Sequence, residues 1–250
     1  MLTSPLRVRP NLLVIGAQKA GTTSLHALLA EHPEIVMSRV KECGELVRER
    51  PSAWRHRAFF PLRGSVGHAV RWAGESTPYY IFHPEVPARA AAMMPGVRAI
   101  AVLRDPVARA WSHHRHAVRH GLERLPFEEA LAREEERMSE SAWSHRHHSY
   151  FSRGCYAAQL ERWFAALGRE RVLVLSFAEL RDGCREPRQA IESFLGLASP
   201  LAEGFPLRNR GEGDGEGIPA GIAESLRARF LPHDARLAAL LARTMDWMMP

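Results

Sequence analysis

The sequence predicts a three-layer α/β fold with a central, mainly parallel β-sheet. Three observations predict it: short apolar runs of strand length, segments of helical period between them, and a glycine-containing loop that joins the first run to the first helix. The chain has 250 residues, 46% of them hydrophobic and 25% charged, so it is long enough for a sizeable core. We expect a single domain over residues 1–250.

The predicted strands are short apolar runs. They are "NLLVIG" (11–16), "EIVM" (34–37), "VRAIAVLRD" (97–105) and "RVLVLSF" (171–177). Strands that are buried on both faces of a parallel sheet have such continuous runs instead of an alternating pattern. The runs therefore predict the interior of the sheet.

The predicted helices carry apolar residues at helical spacing. They cover 22–32, 84–94, 106–120, 126–138, 156–168 and 185–197. Asp105 is predicted to cap the helix that starts at Pro106, and Gly121 to end it. The segment 222–245 predicts two helices broken at Pro232, and the glycine-rich segment 208–219 predicts a mobile loop.

The chain is basic, with a formal net charge of +6. This balance favours an anionic partner, whether a nucleotide, a nucleic acid, a membrane surface or an acidic substrate. Cys43, Cys155 and Cys184 form no C-x-x-C pair, which favours reduced thiols and a cytoplasmic location. No stretch approaches the roughly eighteen apolar residues of a membrane span, so we expect no membrane partner.

The first loop resembles a nucleoside triphosphate P-loop with its lysine displaced. Gly16, Gly21 and Thr23 match the pattern G-x-x-x-x-G-K-[ST], but Thr22 stands where lysine is required. The only lysine nearby is Lys19, inside the loop. Backbone N–H groups of such a loop, together with the N-terminus of the next helix, form an anion site.

The neighbouring strands lack the metal-binding acid of a nucleotide hydrolase. The apolar run "AIAVL" (99–103) is followed directly by Arg104, with Asp105 beyond it as the helix cap, and the run 171–177 ends in Ser176 and Phe177. An arginine therefore stands where an acid would hold Mg²⁺. The loop is typical of a phosphate site that side chains neutralise without a metal.

With these motifs the sequence resembles the sulfotransferases that use 3′-phosphoadenosine 5′-phosphosulfate (PAPS). "GAQKAGTTSL" is similar to their 5′-phosphosulfate loop, and "VLRDPVARAWSHHRH" to their 3′-phosphate motif. Further matches follow in the order expected for the heparan-sulfate-type and bacterial branch: "KE" (41–42), "GESTPYY" (74–80), "GCYAAQLERWF" (154–164) and "ESFLGL" (192–197). The resemblance covers the chain from about residue 11 and implies a P-loop NTPase-like sulfotransferase fold.

The resemblance implies transfer of a sulfuryl group from PAPS to a hydroxyl or amine of a small-molecule or carbohydrate acceptor, which leaves adenosine 3′,5′-bisphosphate. It implies that Lys19 stabilises the leaving phosphate and that Arg104 and Ser112 bind the 3′-phosphate. The implied PAPS-binding residues are Gln18, Lys19, Ala20, Gly21, Thr22, Thr23, Ser24, Arg104, Ser112 and Tyr156. No metal is required.

The acceptor's proton needs a base within hydrogen-bond reach. The resemblance points to Glu42, which follows Lys41. Family members often read K-E-P-H-F-F there, whereas this chain reads "KECGEL". The alternative for Glu42 is a solvated residue at the start of a helix.

Other candidates for the base and the acceptor pocket stay open. Glu75 is the second carboxylate, with Thr77 and Tyr79 as a pocket wall. A histidine base, as in other sulfotransferase branches, would be His113 or His114.

Two other classes of protein compete with this interpretation. A kinase-like P-loop phosphotransferase is the first, but the displaced lysine and the missing metal-binding acid argue against it. A nucleic-acid-binding module would explain the basic charge, yet the arginines are spread along the chain and no nucleic-acid motif is present. The 13 histidines, which include the cluster 144–150, lack acidic or cysteine ligands at metal-site spacing, so we expect no metal.

Overall fold

The structure is a computed structural model that describes residues 4–206 and 217–249. Within these residues the chain forms two compact units. The first unit contains 4–103 and 160–206, and the second contains 104–159 and 217–249. The mobile loop predicted over 208–219 lies, up to residue 216, outside the described residues.

The first unit is built on a five-stranded sheet in which every pair of neighbouring strands is parallel. The strands are β1 (Leu12–Gly16), β2 (Ile35–Met37), β3 (Trp72–Ser76), β4 (Arg98–Leu103) and β5 (Val172–Ser176), in the spatial order β2-β3-β1-β4-β5. Helices flank the sheet. The predicted α/β class with a central parallel sheet is therefore confirmed.

The described residues contain eleven α-helices. They are α1 (Thr22–Ala30), α2 (Ala53–Ala58), α3 (Val86–Met93), α4 (Pro106–Arg119), α5 (Phe127–Ala132), α6 (Glu134–Glu140), α7 (Ala142–His147), α8 (Tyr156–Leu167), α9 (Phe177–Arg181), α10 (Arg185–Leu195) and α11 (Ala220–Leu241). None of these helices has the length and hydropathy that crossing a membrane requires.

The strands predicted from apolar runs are β1, β2, β4 and β5. All side chains of β1 are buried, as continuous apolar runs in a parallel sheet require. Strand β3 was not predicted, because "WAGES" contains a glycine and a glutamate instead of an apolar run. It is nevertheless an interior strand, since it pairs with β1 on one side and with the edge strand β2 on the other.

Two predicted helix boundaries were wrong. The segment 126–138 is not one helix, because α5 and α6 meet at a turn on Arg133. The turn lets the buried Glu134 carboxylate accept the amide hydrogens of Phe151 and Ser152, at 2.6 and 2.8 Å. Tertiary hydrogen bonds thus override the helical period of this segment.

The break predicted at Pro232 was also wrong, because α11 runs through the proline. A proline inside a helix removes one backbone hydrogen bond and crowds the preceding turn. Here the buried stripe of α11 continues on both sides of it, from Leu226 and Phe230 to Leu237 and Leu241. Packing of this stripe holds the helix together across the defect.

Candidate active site

A tight loop joins the carboxyl end of β1 to the first turn of α1. The Ala17 N–H donates to the carbonyl of Val102 on β4 at 2.7 Å, and the Ala20 N–H closes a turn onto the Ala17 carbonyl at 3.2 Å. Lys19 and Gly21 both have left-handed backbone conformations, with φ of 69° and 79°. The loop therefore wraps around a point ahead of the helix, as a phosphate-binding loop does.

The two glycines of this loop are there for different reasons. At Gly16 a β-carbon would lie 2.9 Å from Cβ of Ile81 and 3.0 Å from the carbonyl oxygen of Pro78. The segment 78–81 therefore leaves no room for a side chain at this position. At Gly21 a β-carbon would lie 2.7 Å from the ring of Phe177, and the left-handed backbone also disfavours other residues.

The N-terminus of α1 faces this loop. Gly21 is its N-cap and supplies no side-chain cap, and the first helical hydrogen bond runs from the Leu25 N–H to the Gly21 carbonyl at 3.0 Å. The amides of Thr22, Thr23 and Ser24 therefore precede the helical ladder, at the positive end of the helix dipole. This first turn suits an anion and fits the phosphate group that the sequence predicts here.

A buried carboxylate lies on β3, beside β1. Glu75 is 0% exposed, and β3 pairs it with Leu13 of β1. Its Oε2 accepts a hydrogen bond from the Thr77 hydroxyl at 2.7 Å, and its Oε1 lies 3.1 Å from Nε2 of His56. Both carboxylate oxygens are therefore already engaged inside the protein.

Glu42 lies on the loop that follows β2. Its side chain is 33% exposed, and its Oε1 is 4.0 Å from Nζ of Lys41. The pKa of Lys41 is lowered, because the effect of burial exceeds the opposing effect of the Glu42 and Glu75 carboxylates. The same loop is tied to β3, because the Gly44 N–H donates to the Thr77 hydroxyl oxygen at 3.2 Å.

The structure thus joins Glu75 to Thr77 and joins Thr77, through Gly44, to the loop that carries Glu42. Thr77 also anchors the network to β1, because its N–H donates to the Val14 carbonyl at 3.2 Å. Tyr79 follows on the same segment and is buried, with its ring edge-on to His83 at 5.5 Å. The segment that contains Thr77 and Tyr79 therefore runs alongside the start of the phosphate loop.

Sequence reasoning missed two histidines of this network. His56 is on α2, a helix that was not predicted, and its contact with Glu75 spans 19 positions. His26 of α1 has Nδ1 2.9 Å from the hydroxyl of Ser76. Burial and the nearby Lys41 ammonium lower the pKa of His26, and Glu75 opposes them. No local motif marks either histidine, because the strand register brings their partners to them.

Arg104 begins the second unit, directly after β4. Its carbonyl accepts a hydrogen bond from the hydroxyl of Tyr156 at 2.8 Å, and Tyr156 is only 1% exposed. Asp105 caps α4 through the Val107 N–H at 2.9 Å, as predicted. Both oxygens of Asp105 also bind Arg227 of α11, at 3.1 and 2.8 Å. The backbone at Arg104 is therefore held by Tyr156 and, one residue on, by Arg227, which sequence reasoning missed.

Ser112 and His114 lie on α4 in different surroundings. Ser112 is half-buried. His114 is buried in an aromatic cluster, stacked on Trp111 at 6.0 Å and tilted against Phe127 at 5.0 Å. Its Nε2 lies 2.9 Å from the Leu125 carbonyl, which can only accept, so Nε2 carries the hydrogen. Burial lowers its pKa, and these contacts are those of a core histidine.

The predicted site residues therefore divide between the two units. The phosphate loop, Glu42, Glu75, Thr77 and Tyr79 belong to the first unit, and Arg104, Ser112, His114 and Tyr156 belong to the second. Over 4–206 and 217–249, no three histidine, cysteine or acidic side chains assemble into a possible metal site.

Comparison with known proteins gives a consistent family. A family profile described as "Sulfotransferase domain" matches residues 9–205. Among solved structures, a sulfotransferase from Alicyclobacillus acidocaldarius is 30% identical with a TM-score of 0.76, over 97% of this chain and 100% of that one. The sulfotransferase domain from the curacin biosynthetic pathway is 14% identical with a TM-score of 0.51, which shows a shared fold.

Curated relatives are longer than this chain. The bifunctional heparan sulfate N-deacetylase/N-sulfotransferase 4 of Mus musculus is 26% identical over 94% of this chain, which spans 30% of that protein. The heparan sulfate glucosamine 3-O-sulfotransferase 3B1 of Mus musculus is 25% identical over 95% of this chain, which spans 65% of that protein.

Proposed function

The chain belongs to the PAPS-dependent sulfotransferase family, and from this premise we propose that it transfers a sulfuryl group from PAPS to a hydroxyl or amine of a small-molecule or carbohydrate acceptor. We propose further that residues 1–250 act as one sulfotransferase domain. The observation that carries the proposal is the loop between β1 and α1, in which a lysine with left-handed backbone stands ahead of three hydroxyl residues in the first turn of α1.

The residues of this loop fit the 5′-phosphosulfate end of the donor. Bound there, the donor supplies the sulfuryl group that is transferred. The segment from Gln18 through Ala20 and Gly21 to Ser24 offers backbone N–H groups and the hydroxyls of Thr22, Thr23 and Ser24. In this proposal the Lys19 ammonium group neutralises charge on the leaving phosphate, where a fixed cation contributes most.

Arg104 and Ser112 take the 3′-phosphate. A guanidinium and a hydroxyl together suit a phosphate ester, because the guanidinium can donate two parallel hydrogen bonds. The Tyr156 hydroxyl donates its hydrogen bond to the Arg104 carbonyl, so we propose that Tyr156 positions the Arg104 backbone.

Glu42 is the base in this proposal. It is the more exposed of the two carboxylates and lies beside a lysine, whereas Glu75 is buried with both oxygens engaged. A base must reach a proton on an incoming acceptor, which Glu42 can do. Glu75 helps to position the loop that carries Glu42. It accepts a hydrogen bond from the Thr77 hydroxyl, and that hydroxyl oxygen accepts one from the Gly44 N–H on the loop. Tyr79 stays a candidate for the pocket wall, and the contacts of His114 support a structural role.

The test is transfer of labelled sulfate. The protein is incubated with sulfur-labelled PAPS and a panel of acceptors that contains phenols, alcohols and glucosamine-containing oligosaccharides. The oligosaccharides are included because the relatives are named for heparan sulfate and its glucosamine. We expect label on at least one acceptor, without added metal. A parallel reaction uses ATP labelled in its γ-phosphate, with Mg²⁺. Transfer from ATP and none from PAPS would overturn the proposal in favour of a kinase-like phosphotransferase.

A further inference from the structure

A cleft of about 640 Å³ opens in the first unit at the amino-terminal edge of the sheet. Pro10 and Asn11, which line it, precede β1, Trp72 begins β3, and Pro95 precedes β4. The phosphate loop follows the opposite, carboxyl end of β1. The five residues of β1 separate the two places by about 16 Å of strand.

The cleft is lined by arginines. Arg9, Arg57, Arg63 and Arg71 all contribute to its wall, as does His68. Arg71 is neutralised by Glu34 at 3.1 Å. Among the described residues, none of the other three arginines has a carboxylate within 4.0 Å.

Arg57 lies within electrostatic range of both Arg9 and Arg63. Burial, followed by the charges of Arg9 and Arg63, lowers the pKa of Arg57. Guanidinium groups gathered without a counter-charge make a region of positive potential, and an anion that entered it would relieve the repulsion.

The backbone around these arginines is folded, not a loose tail. The Val8 N–H donates to the Pro61 carbonyl at 3.1 Å, and Arg7 forms an antiparallel bridge with Leu62. This pairing brings Arg9 to the segment that carries Arg57, on α2, and Arg63. The three side chains therefore start from fixed positions.

The remaining wall is largely apolar. Val66, Val70, Trp72, Met93 and Met94 contribute to it. The indole of Trp72 is fixed in place, because its Nε1 donates to the Leu195 carbonyl at 2.9 Å. The lining thus combines cationic side chains with apolar ones that can cover a hydrocarbon or aromatic body.

A second, independent feature marks the cleft. His56 contributes to its lining, is only 1% exposed, and binds Glu75 through Nε2. Its other ring nitrogen, Nδ1, is buried and has no hydrogen-bond partner in the part of the chain that the structure describes. Buried polar atoms are nearly always satisfied, and Nδ1 is an acceptor here because Nε2 donates to the Glu75 carboxylate, so it suits a hydroxyl or N–H donor and not the anionic group itself.

We propose that this cleft binds an organic anion, with a sulfate, phosphate or carboxylate group on Arg9, Arg57 and Arg63 and an apolar body against Trp72, Met93 and Met94. The site is separate from the phosphate loop, and the proposal does not depend on the transfer reaction. Its ligand class follows from the mixed lining of the cleft: the arginines favour an anionic group, and the apolar side chains favour a hydrocarbon or aromatic body.

The test is a calorimetric titration with 1-naphthyl sulfate as the probe. It is run on the full chain, both alone and with saturating adenosine 3′,5′-bisphosphate, so that occupancy of the donor site is controlled. We expect binding in both cases, weaker binding of inorganic sulfate, and no binding of the neutral 1-naphthol. Equal affinity for naphthol and its sulfate, or no binding of the sulfate, would overturn the proposal.

Matched variants locate the site. Arg57→Gln with Arg63→Gln should weaken 1-naphthyl sulfate at least about tenfold, because two charge-assisted contacts are lost. Arg181→Gln with Arg185→Gln removes the same charge from an exposed part of the first unit outside the cleft and should change the affinity less than about twofold. Retained affinity in the cleft variant, with unchanged circular dichroism, would place the probe elsewhere and reject the site.

Discussion

Single residues carry most of the proposed chemistry, and Lys19 is the clearest case. It adopts a left-handed backbone, with φ of 69°, in a loop where every neighbour is small or polar. A residue with a β-carbon is disfavoured in that conformation by roughly 1–2 kcal/mol. A lysine at such a position is explained better by its charge than by stability.

We predict that Lys19→Ala lowers kcat by about a hundred- to a thousand-fold, because a fixed cation at the leaving group is lost. Lys19→Gly should lose activity equally and yet melt no lower than the wild type, because glycine accepts the left-handed backbone. The measurements are turnover with labelled PAPS and thermal denaturation. Near-normal turnover in either variant would contradict the role.

Substitution of Arg104 should affect binding of the 3′-phosphate and leave binding of the rest of the adenosine ligand unchanged. Arg104→Ala is expected to weaken adenosine 3′,5′-bisphosphate about tenfold or more, and adenosine 5′-phosphate hardly at all, because only the first ligand presents a 3′-phosphate. Arg104→Lys keeps the positive charge but cannot donate two parallel hydrogen bonds, so its affinity for adenosine 3′,5′-bisphosphate should lie between those of the wild type and Arg104→Ala. Calorimetry of both ligands measures this. Equal weakening of the two ligands would exclude the assignment.

Substitutions of Glu42 and Glu75 should have different effects, the first on kcat and the second on the free energy of unfolding. Glu42→Gln removes a base on a partly exposed side chain, so kcat should fall by about a hundred- to ten-thousand-fold with stability and PAPS affinity retained. Glu75→Gln alters a buried, hydrogen-bonded group and should lower the free energy of unfolding by about 1–3 kcal/mol.

The readout that distinguishes them is the pH profile of kcat. With Glu42 as the base, Glu42→Gln loses the acidic limb of the profile, whereas Glu75→Gln keeps it at whatever activity remains. The reverse outcome would make Glu75 the base and Glu42 a solvated residue of its loop.

At the scale of elements, the second unit is organised around a buried ion pair. Glu123 binds Arg137 at 2.7 Å and the Tyr150 hydroxyl at 2.8 Å, and it accepts the amide hydrogens of Arg124 and Leu125 at 2.8 and 2.9 Å. These contacts join the turn after α4 to α6 and to the segment before α8. One carboxylate thus connects three parts of the unit.

This carboxylate should make stability depend on pH. Burial alone would raise the pKa of Glu123, but Arg137, the two amides and the Tyr150 hydroxyl lower it to about 2, below the ordinary value of 4.5. A depressed folded-state pKa contributes stability above the unfolded value, and this contribution is lost as the pH falls from about 4.5 toward about 2.

We therefore expect the free energy of unfolding to fall between about pH 5 and about pH 3 by more in the wild type than in Glu123→Gln, which has no proton to take up. Urea denaturation at stepped pH measures the difference. Parallel curves for the two proteins would show that Glu123 is not the group responsible.

At the scale of the whole molecule, the proposed donor-binding residues belong to both compact units, although we propose one domain. A ligand that binds the folded chain and not the unfolded chain stabilises the fold. At a hundred times its Kd, adenosine 3′,5′-bisphosphate should add about 2.7 kcal/mol to the free energy of unfolding. For a chain of 250 residues this corresponds to a rise in Tm of roughly 5–10 °C.

Calorimetry should show one unfolding transition that moves upward with the ligand, and Arg181→Gln, an exposed change, should leave that shift intact. Two transitions of which only one moves would contradict the single domain and would assign the bisphosphate to one unit.

The sequence by itself determined the features that depend on neighbouring residues. Apolar runs identified β1, β2, β4 and β5, and glycine spacing identified the phosphate loop, because strand burial and left-handed turns are decided within a few positions. The position of Lys19 inside the loop was equally visible. These local patterns were enough to predict the α/β class, and the resemblance of the motifs indicated the sulfotransferase family.

Only the tertiary structure decided what depends on residues far apart in the chain. The register of β3 against β1 buries Glu75, and α2 then brings His56 to it across 19 positions. Packing carries α11 through Pro232, and the pairing of Val8 with Pro61 gathers the arginines of the cleft. Hydrogen bonds and burial between distant segments outweigh local propensity at these places, and neither leaves a local pattern in the sequence.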